Sequence, residues 1–324
     1  MATTTKKLPW VEKYRPRLLK DVVGNEEAVS RLSVIAKSGV LPHMILSGPP
    51  GVGKTTSVHC LANELLGKEL SKKAVLELNA SDDRGIEVVR TSIKTFAQKK
   101  VTLPPNRQKI IILDEADSMT AAAQQALRRT MENFSGTTRF MLACNQPDKI
   151  IEPIQSRCAI VRFTKLTDSQ VKARLVTVAA KESVPLTQDG IDALTFIADG
   201  DMRQAMCGME ATFAGKGDVT ADNVYQVCDT PSPEQVKQMV AMASKGDFDG
   251  ASGILMKLHG EGFAVTDLLS TVYRAVCYGE LPEGMRMNFM RVVAETHLRV
   301  SQGSDTILQL SGMVGAMCMA AHSG

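Results

Sequence analysis

The sequence has few aromatic residues and no excess of one charge sign. Aromatic side chains make up 4% of the chain, so base-stacking platforms of the kind that single-strand binders use are not expected to dominate. The 38 basic and 35 acidic residues give a formal net charge of only +3. Any contact with nucleic acid must therefore come from a local patch and not from bulk charge.

Paired cysteines and long apolar runs are missing as well. The seven cysteines are odd in number and scattered, without a C-x-x-C pair, which argues against a disulfide framework and a zinc site. The N-terminal residues contain no apolar core of a signal peptide, and no apolar run approaches the length of a membrane span. These absences predict a soluble intracellular protein.

The first half of the chain alternates short apolar runs with stretches of helical spacing. The apolar runs are bounded by turn or polar residues, which is typical of buried strands. Strands that alternate with helices predict a parallel sheet covered on both faces. The predicted strands are 43–48, 75–80, 109–117, 138–145 and 158–163, and the predicted helices are 26–38, 54–66, 85–99, 120–134 and 150–155.

The strand pattern stops after residue 165. The next stretch starts with a helix cap at Thr167 or Asp168 and carries apolar residues at helical spacing. Two prolines and a serine within 228–235 mark a break, after which the spacing stays helical. We therefore predict an α/β domain over 1–165, a small helical domain over 166–229 and an all-helical domain over 230–324.

The stretch "GPPGVGKTTS" fits the phosphate-loop pattern G-x-x-x-x-G-K-[ST] from Gly48 to Thr55. It follows a predicted strand and precedes a predicted helix, which is the context that this motif requires. Backbone N–H groups of such a loop approach phosphate closely, Lys54 would reach the β- and γ-phosphates, and Thr55 would hold Mg²⁺. The alternative is an ordinary turn with a surface lysine.

Two adjacent carboxylates end the predicted strand in "IIILDEAD". Ligands bind at the carboxyl ends of strands in open parallel sheets. Asp114 would anchor Mg²⁺ and Glu115 would polarise the attacking water, since phosphoryl transfer needs mainly positioning and charge neutralisation. The letters D-E-A-D also suggest a helicase fragment, but a helicase would need a second α/β lobe, which the helical pattern after residue 165 does not offer.

The sequence resembles the small subunits of replication factor C, the eukaryotic sliding-clamp loader of the AAA+ class. The resemblance covers most of the chain. It rests on "LPWVEKYRP", "GPPGVGKTTS", "LELNASDDRGIEVVR", "ILDEADSM", "QQALRRTME", "IIEPIQSRC", "GDMRQA" and "ETHLRVSQG".

The resemblance implies an AAA+ P-loop α/β domain followed by a helical lid and a helical collar for oligomerisation. It also implies a nuclear hetero-pentamer with other replication factor C subunits. This assembly would use ATP and Mg²⁺ to load a ring-shaped, PCNA-like clamp onto primer–template DNA. An alternative is a structural subunit that binds ATP for assembly and does not hydrolyse it.

The resemblance also assigns nucleotide contacts outside the phosphate loop. In the family, "VEKYRP" and "VVG" (22–24) wrap the adenine, Asn145 orients water or the γ-phosphate, and Arg203 reaches the γ-phosphate from the lid. A structural arm, a turn-forming asparagine and a solvated arginine are the corresponding alternatives. The predicted nucleotide-binding residues are Val11, Arg15, Pro16, Val23, Gly48, Pro49, Pro50, Gly51, Val52, Gly53, Lys54, Thr55, Thr56, Asn145 and Arg203.

A basic helix face is the candidate DNA contact. Arg90 and Lys94 are four residues apart, with Arg84 near the predicted helix start and Lys149 elsewhere in the chain. Cations presented to a duplex backbone give salt-dependent binding without sequence readout. A solvated basic face is the alternative for each residue alone. Phe96 and Ala97 lie on another side of this helix and are the candidate clamp contacts, because exposed apolar patches mark partner sites.

The stretch "EPIQSRCAIVRF" sets Arg157 beside Cys158. A small thiol at the start of a strand is usually structural, so we do not expect Cys158 to be a nucleophile. The family resemblance makes Arg157 a catalytic arginine that acts in trans, on the ATP of a neighbouring subunit. Without that resemblance, the default is an arginine that caps its own domain.

Overall fold

The computed structural model describes residues 8–81, 87, 89–104, 107–279 and 281–322. It divides into two compact units, Met1–Ala221 and Asp222–Gly324. The first unit contains a five-stranded parallel sheet in the order β2-β3-β4-β1-β5. The strands are β1 (Met44–Ser47), β2 (Val75–Asn79), β3 (Lys109–Asp114), β4 (Thr138–Cys144) and β5 (Ala159–Arg162).

Strand β3 shows why the sheet forms a central layer. Its alternate residues enter different cores: Ile110 and Ile112 join one cluster, while Ile111 and Leu113 join the other. All four are at most 2% exposed, so both faces of the sheet are covered. A strand buried on both faces is uniformly apolar instead of alternating, which is how this segment could be predicted as a parallel strand.

Helices cover both faces of the sheet and then continue beyond it. The first helix after the phosphate loop is kinked at Gly67, where φ is 74°, and a π-helical turn over Val89–Ile93 precedes α4. The helices of the first unit are α1 (Trp10–Lys13), α2 (Glu26–Ser38), α3 (Lys54–Ala74), α4 (Lys94–Gln98), α5 (Ala121–Asn133), α6 (Glu152–Gln155), α7 (Asp168–Glu182), α8 (Gln188–Ala198) and α9 (Met202–Lys216).

The described part of the second unit is helical and has its own core. Val236, Leu255, Val272 and Phe289 are fully buried in one cluster with Met313. Its helices follow α10 (Ala221–Val227), which starts at the unit boundary. They are α11 (Pro233–Ser244), α12 (Phe248–Gly260), α13 (Val265–Tyr278), α14 (Glu283–Ser301) and α15 (Ile307–His322).

The predicted architecture, a parallel α/β domain followed by helices, is confirmed. Thr167 caps α7 through a capping box with Gln170. The three-way domain division remains a prediction; helices α7 to α9 belong to one compact unit with the sheet. Among the described residues, the second unit contains no strand that could build another α/β lobe. Within all the residues that the structure describes, no helix is long and apolar enough to cross a membrane.

Candidate active site

Three neighbouring strand ends build a cleft in the first unit. The phosphate loop follows β1, Asp114 ends β3 and is followed by Glu115, and Asn145 follows β4. Because β4 lies between β3 and β1 in a parallel sheet, these segments meet at the same edge. The cleft has a volume of about 340 Å³.

Lys54 is buried at the base of the cleft, with 8% of its surface exposed. Its ammonium donates hydrogen bonds to the carbonyl oxygens of Gly48 and Pro49, both at 2.7 Å, and to Asn145 Oδ1 at 2.9 Å. Burial lowers the pKa of Lys54, and the nearby Asp114 carboxylate partly opposes this shift. A buried cation held by neutral oxygens is suited to receive an anion such as phosphate, so Lys54 is not the surface lysine of an ordinary turn.

Thr55 and Asp114 bring a hydroxyl and a carboxylate together. Thr55 Oγ1 donates a hydrogen bond to Asp114 Oδ2 at 2.9 Å. Oxygen ligands of this kind, one carboxylate beside a hydroxyl next to a phosphate site, fit the way in which Mg²⁺ binds. Glu115 follows in a left-handed backbone conformation, with φ 50°. It is exposed and lines the cleft. Strained backbone of this type clusters at functional sites.

Asn145 is held from the backbone side by Asp117. The Asp117 Oδ2 atom accepts the N–H groups of Asn145 at 3.2 Å and Gln146 at 3.1 Å. The Asn145 side chain is thereby directed to Lys54. Asp117 was not predicted as a site residue, although it is the third acid of "DEAD", and its role depends on the packing of two loops that are distant in sequence.

The three helices α7 to α9, here called the lid, approach the phosphate loop directly. The N–H of Met202 donates to the Gly51 carbonyl at 3.2 Å, and Asp201 caps α9 by accepting the N–H groups of Arg203 and Gln204. A Cβ atom at Gly51 would lie 1.6 Å from Asp201 Oδ1, so this approach requires glycine. Arg203 lines the cleft from the lid side.

Most of the predicted nucleotide-binding residues line this cleft. Gly48 and Pro49 are not among its lining residues; Gly48 lies against Phe163, and the carbonyl oxygens of both accept hydrogen bonds from Lys54. Their contact with nucleotide stays a prediction. The predicted residues that do line the cleft are Val11, Arg15, Pro16, Val23, Pro50, Gly51, Val52, Gly53, Lys54, Thr55, Thr56, Asp114, Glu115, Asn145 and Arg203.

Several lining residues were not predicted. Tyr14 stands inside the quoted "VEKYRP" segment, so its position next to Arg15 was an available signal. Arg174 on α7 has no local signal, because only the folded chain brings it to the cleft. Glu12 and Val22 also line the cleft and stand inside the quoted "VEKYRP" and "VVG" segments, although they were not predicted individually. The other unpredicted lining residues are Glu77, Ala143, Cys144, Leu166, Met202 and Met206.

The structure describes the candidate DNA contacts only in part. Lys94 and Lys149 are exposed. The side chain of Arg90 and the whole of Arg84 lie outside the described residues. The grouping of these cations on one surface therefore stays a prediction.

The predicted clamp contact at Ala97 is wrong, because Ala97 is only 4% exposed. Phe96 is half-buried and packs against the core of this sheet face. The buried ammonium of Lys109 donates to the carbonyl oxygens of Phe96, Ala97 and Lys99 and so fastens the end of α4 to β3. Phe96 stays a candidate through its remaining exposed part.

Arg157 does not line the cleft of its own chain. Its guanidinium pairs with Glu132 Oε1 at 2.7 Å and donates to the Pro153 carbonyl at 2.7 Å, with 40% of the side chain exposed. The neighbouring Cys158 is half-buried, and burial raises the pKa of its thiol to about 12. A thiol with such a pKa is unsuited to nucleophilic attack at neutral pH.

We expect Lys54→Ala to weaken ATP binding by about 10- to 100-fold, which is the effect of losing a hydrogen bond to a charged group. Isothermal titration of the full chain with ATP measures this change, and Lys37→Ala on α2 is the matched surface control. An unchanged affinity in a Lys54→Ala protein with normal thermal stability would contradict this role.

Two family models match the chain. One, described as "ATPase family associated with various cellular activities (AAA)", matches residues 44–166. The other, "Replication factor C C-terminal domain", matches residues 231–316. Together they include the cleft-forming strands and most of the C-terminal helices.

Named relatives match nearly the full chain. Replication factor C subunit 2 of Arabidopsis thaliana is 54% identical over 95% of this chain and 92% of the relative. Replication factor C subunit 4 of Saccharomyces cerevisiae is 53% identical over 96% of each chain. The structure of the Thermotoga maritima RuvB Holliday junction branch migration motor covers 71% of this chain and 78% of that chain, with a TM-score of 0.55. At 18% identity, this last likeness supports the fold alone.

Proposed function

Because the chain belongs to the replication factor C family of AAA ATPases, we propose that it loads a ring-shaped sliding clamp onto primer–template junctions during DNA replication and repair. It hydrolyses ATP as one subunit of a hetero-pentamer with other replication factor C subunits. The observation that carries this proposal is a complete phosphate-loop cleft joined, in one chain, to a replication factor C C-terminal domain.

The side chains around the cleft divide the work of phosphoryl transfer. Lys54 holds the β- and γ-phosphates, and Thr55 and Asp114 hold Mg²⁺, which neutralises charge on the phosphates when bound. Glu115 accepts a proton from the attacking water and orients it. Asn145, fixed by its contact with Lys54, orients the same water or the γ-phosphate.

Different lining residues are proposed to contact the base and the γ-phosphate. Val11, Pro16 and Val23 offer an apolar wall for adenine, and Arg15 stands beside them with its guanidinium 3.3 Å from Thr56 Oγ1. Arg203 reaches the γ-phosphate from the lid. The contact of Met202 with Gly51 supports a coupling of phosphate-loop occupancy to lid position.

The domains carry separate duties in this proposal. Residues 1–165 bind nucleotide, 166–229 form a domain that contains the lid helices α7 to α9, and 230–324 form the collar through which the subunits assemble. A clamp of the PCNA type and primer–template DNA are the partners, with Phe96 as a candidate clamp contact. The site of action is the nucleus.

Reconstitution tests this function. The chain is co-expressed with the other replication factor C subunits, and ATP-dependent retention of a labelled clamp on primed, end-blocked DNA is measured. We expect retention with ATP and none with ADP. Strand displacement without clamp retention would instead support the helicase alternative.

For DNA, we expect alanine at Arg84, Arg90, Lys94 and Lys149 to flatten the salt dependence of binding by the assembled loader. Each lost phosphate contact should lower the slope of log K against log salt by about one unit. Fluorescence anisotropy over a salt series measures the slope, and Lys72→Ala on α3 is the exposed control. An unchanged slope in the fourfold variant would refute this basic patch.

A further inference from the structure

The N-terminal arm, residues 9–19, begins on the lid. The backbone N–H of Trp10 donates to Glu210 Oε2 on α9 at 2.8 Å. The Trp10 ring packs against Phe213 on the same helix, with centroids 5.8 Å apart. Trp10 is only 8% exposed, so the start of the arm is anchored on the lid.

The arm ends on the α/β part of the unit. Arg15 donates to Thr56 Oγ1 on α3 at 3.3 Å, and the N–H of Leu19 donates to Glu64 Oε1 on the same helix at 2.8 Å. The arm therefore crosses from the lid to the α/β part between Tyr14 and Arg15. Both residues line the nucleotide cleft at this crossing.

One lid carboxylate, at the last residue of α7, holds the crossing point. Glu182 Oε1 accepts the Tyr14 hydroxyl at 2.6 Å and the Lys13 ammonium at 2.5 Å. Arg174, also on α7, donates to the Tyr14 carbonyl at 2.5 Å. The Glu182 side chain is 18% exposed, and it does not line the cleft itself.

We propose that Glu182 is a positioning residue for nucleotide binding. It fastens Lys13 and Tyr14 to the lid, so that the arm stands in the wall of the cleft before ATP arrives. This inference rests on the proposed ATPase function and adds to it a residue that never touches the nucleotide. The hydrogen bonds to Glu182 also raise the pKa of Tyr14 and of Lys13, as expected when a carboxylate accepts from the protonated forms.

A positioning role affects affinity and rate differently. Without Glu182 the arm leaves the cleft wall for part of the time, and only the fraction with the arm in place binds ATP well. If that fraction falls to between about a fifth and a tenth, the apparent Kd rises about 5- to 10-fold. Once ATP is bound the arm is in place again, so kcat stays unchanged.

The test compares Glu182→Ala with the wild type in the full chain and in the assembled loader. A fluorescent ATP analogue gives Kd and the dissociation rate, and steady-state ATPase gives KM and kcat. We expect Kd and KM to rise about 5- to 10-fold with kcat unchanged. Glu182→Gln, which keeps an acceptor for Tyr14 but loses the charge opposite Lys13, should show a smaller rise.

Two comparisons make the result specific. Glu27→Ala removes an exposed carboxylate that pairs with Arg31 on α2 and should leave Kd unchanged. In a Tyr14→Phe background, Glu182→Ala should add less than it does in the wild type, because the two side chains act through one contact.

The inference is overturned if Glu182→Ala binds ATP like the wild type, if kcat falls in proportion to affinity, or if the two changes add fully. It is overturned as well if Glu182→Ala and Glu182→Gln only lower thermal stability. A wild-type chain that does not bind ATP would instead overturn the proposed function itself.

Discussion

A loader that carries Glu115→Gln only in this chain is expected to keep ATP at this chain's cleft and to hydrolyse it about 10²- to 10⁴-fold more slowly, the usual contribution of a general base. Glutamine keeps the size of the side chain but cannot accept a proton from water. Lys54 and Thr55 are unchanged in this variant, so binding of the phosphates should survive.

The local geometry explains why Glu115 and its neighbour have separate duties. Asp114 accepts both the Thr55 hydroxyl, at 2.9 Å, and the backbone N–H of Glu115, at 3.0 Å. It is therefore occupied within the phosphate and metal site. The left-handed backbone at Glu115 places that residue next along the cleft wall, where its exposed carboxylate is available to water.

The measurement requires that only this cleft turns over. The phosphate-loop lysines of the other subunits are changed, and single-turnover hydrolysis of prebound ATP is followed. Glu69→Gln on α3, which is 89% exposed, is the matched control. Full hydrolysis in the Glu115→Gln assembly would exclude the assignment. ATP binding without hydrolysis in the matching assembly with Glu115 intact would favour the non-hydrolysing structural subunit.

The sheet was predictable because its strands are short, apolar and separated by helical spacing. The run Ile110, Ile111 and Ile112 is apolar without alternation, which is typical of a strand in a parallel sheet that is covered on both faces. The helix ends were also predictable where local chemistry sets them, as with the cap at Thr167. For the same reason the phosphate loop could be read directly, since its glycines, lysine and threonine are contiguous.

Contacts between distant segments could not be predicted. Arg174 and Glu182 reach Tyr14 across 160 and 168 residues of chain, and nothing near any of the three indicates the partner. At Ala97, by contrast, a contact was predicted that the fold does not allow. Ala97 was grouped with Phe96 as an exposed contact, but it lies four residues after the buried Ile93 and is itself buried, and Lys109 on a later strand donates to its carbonyl oxygen.

Arg157 is held near the surface by contacts that leave its charge available. The short helix α6 precedes it, and Glu132 at the end of α5 pairs with its guanidinium. A partly exposed ion pair of this kind contributes only about 0–1 kcal/mol to stability. Little free energy is therefore lost if the guanidinium leaves Glu132 for the phosphate of a neighbouring subunit.

The cleft of this chain is supplied with cations other than Arg157. Lys54 and Arg203 already supply cations to it, and Arg157 is not among the residues that line it. A guanidinium is permanently charged, and its planar fork matches phosphate oxygens. We therefore propose that Arg157 acts on ATP bound by another subunit, as the resemblance of "IIEPIQSRC" to the family implies.

In a loader that contains Arg157→Ala with wild-type neighbours, hydrolysis at the one site that faces the changed loop is expected to fall about 10³- to 10⁵-fold. ATP binding and turnover at this chain's own cleft should persist, because none of its lining residues is changed. Two assemblies are compared by single-turnover assays. In one, only this chain's cleft keeps its phosphate-loop lysine; in the other, only the cleft that faces the changed loop keeps it.

The controls distinguish a catalytic arginine that acts in trans from an arginine that only caps its own domain. Arg157→Lys keeps the positive charge but not the fork, so it should restore only part of the neighbour's rate. Arg31→Ala removes a different arginine that pairs with a glutamate and should change neither site. A cap that only supports its own domain would lower thermal stability in Arg157→Ala and slow this chain's own turnover. If that site failed while the neighbour's stayed normal, Arg157 would act in cis and the trans assignment would be wrong.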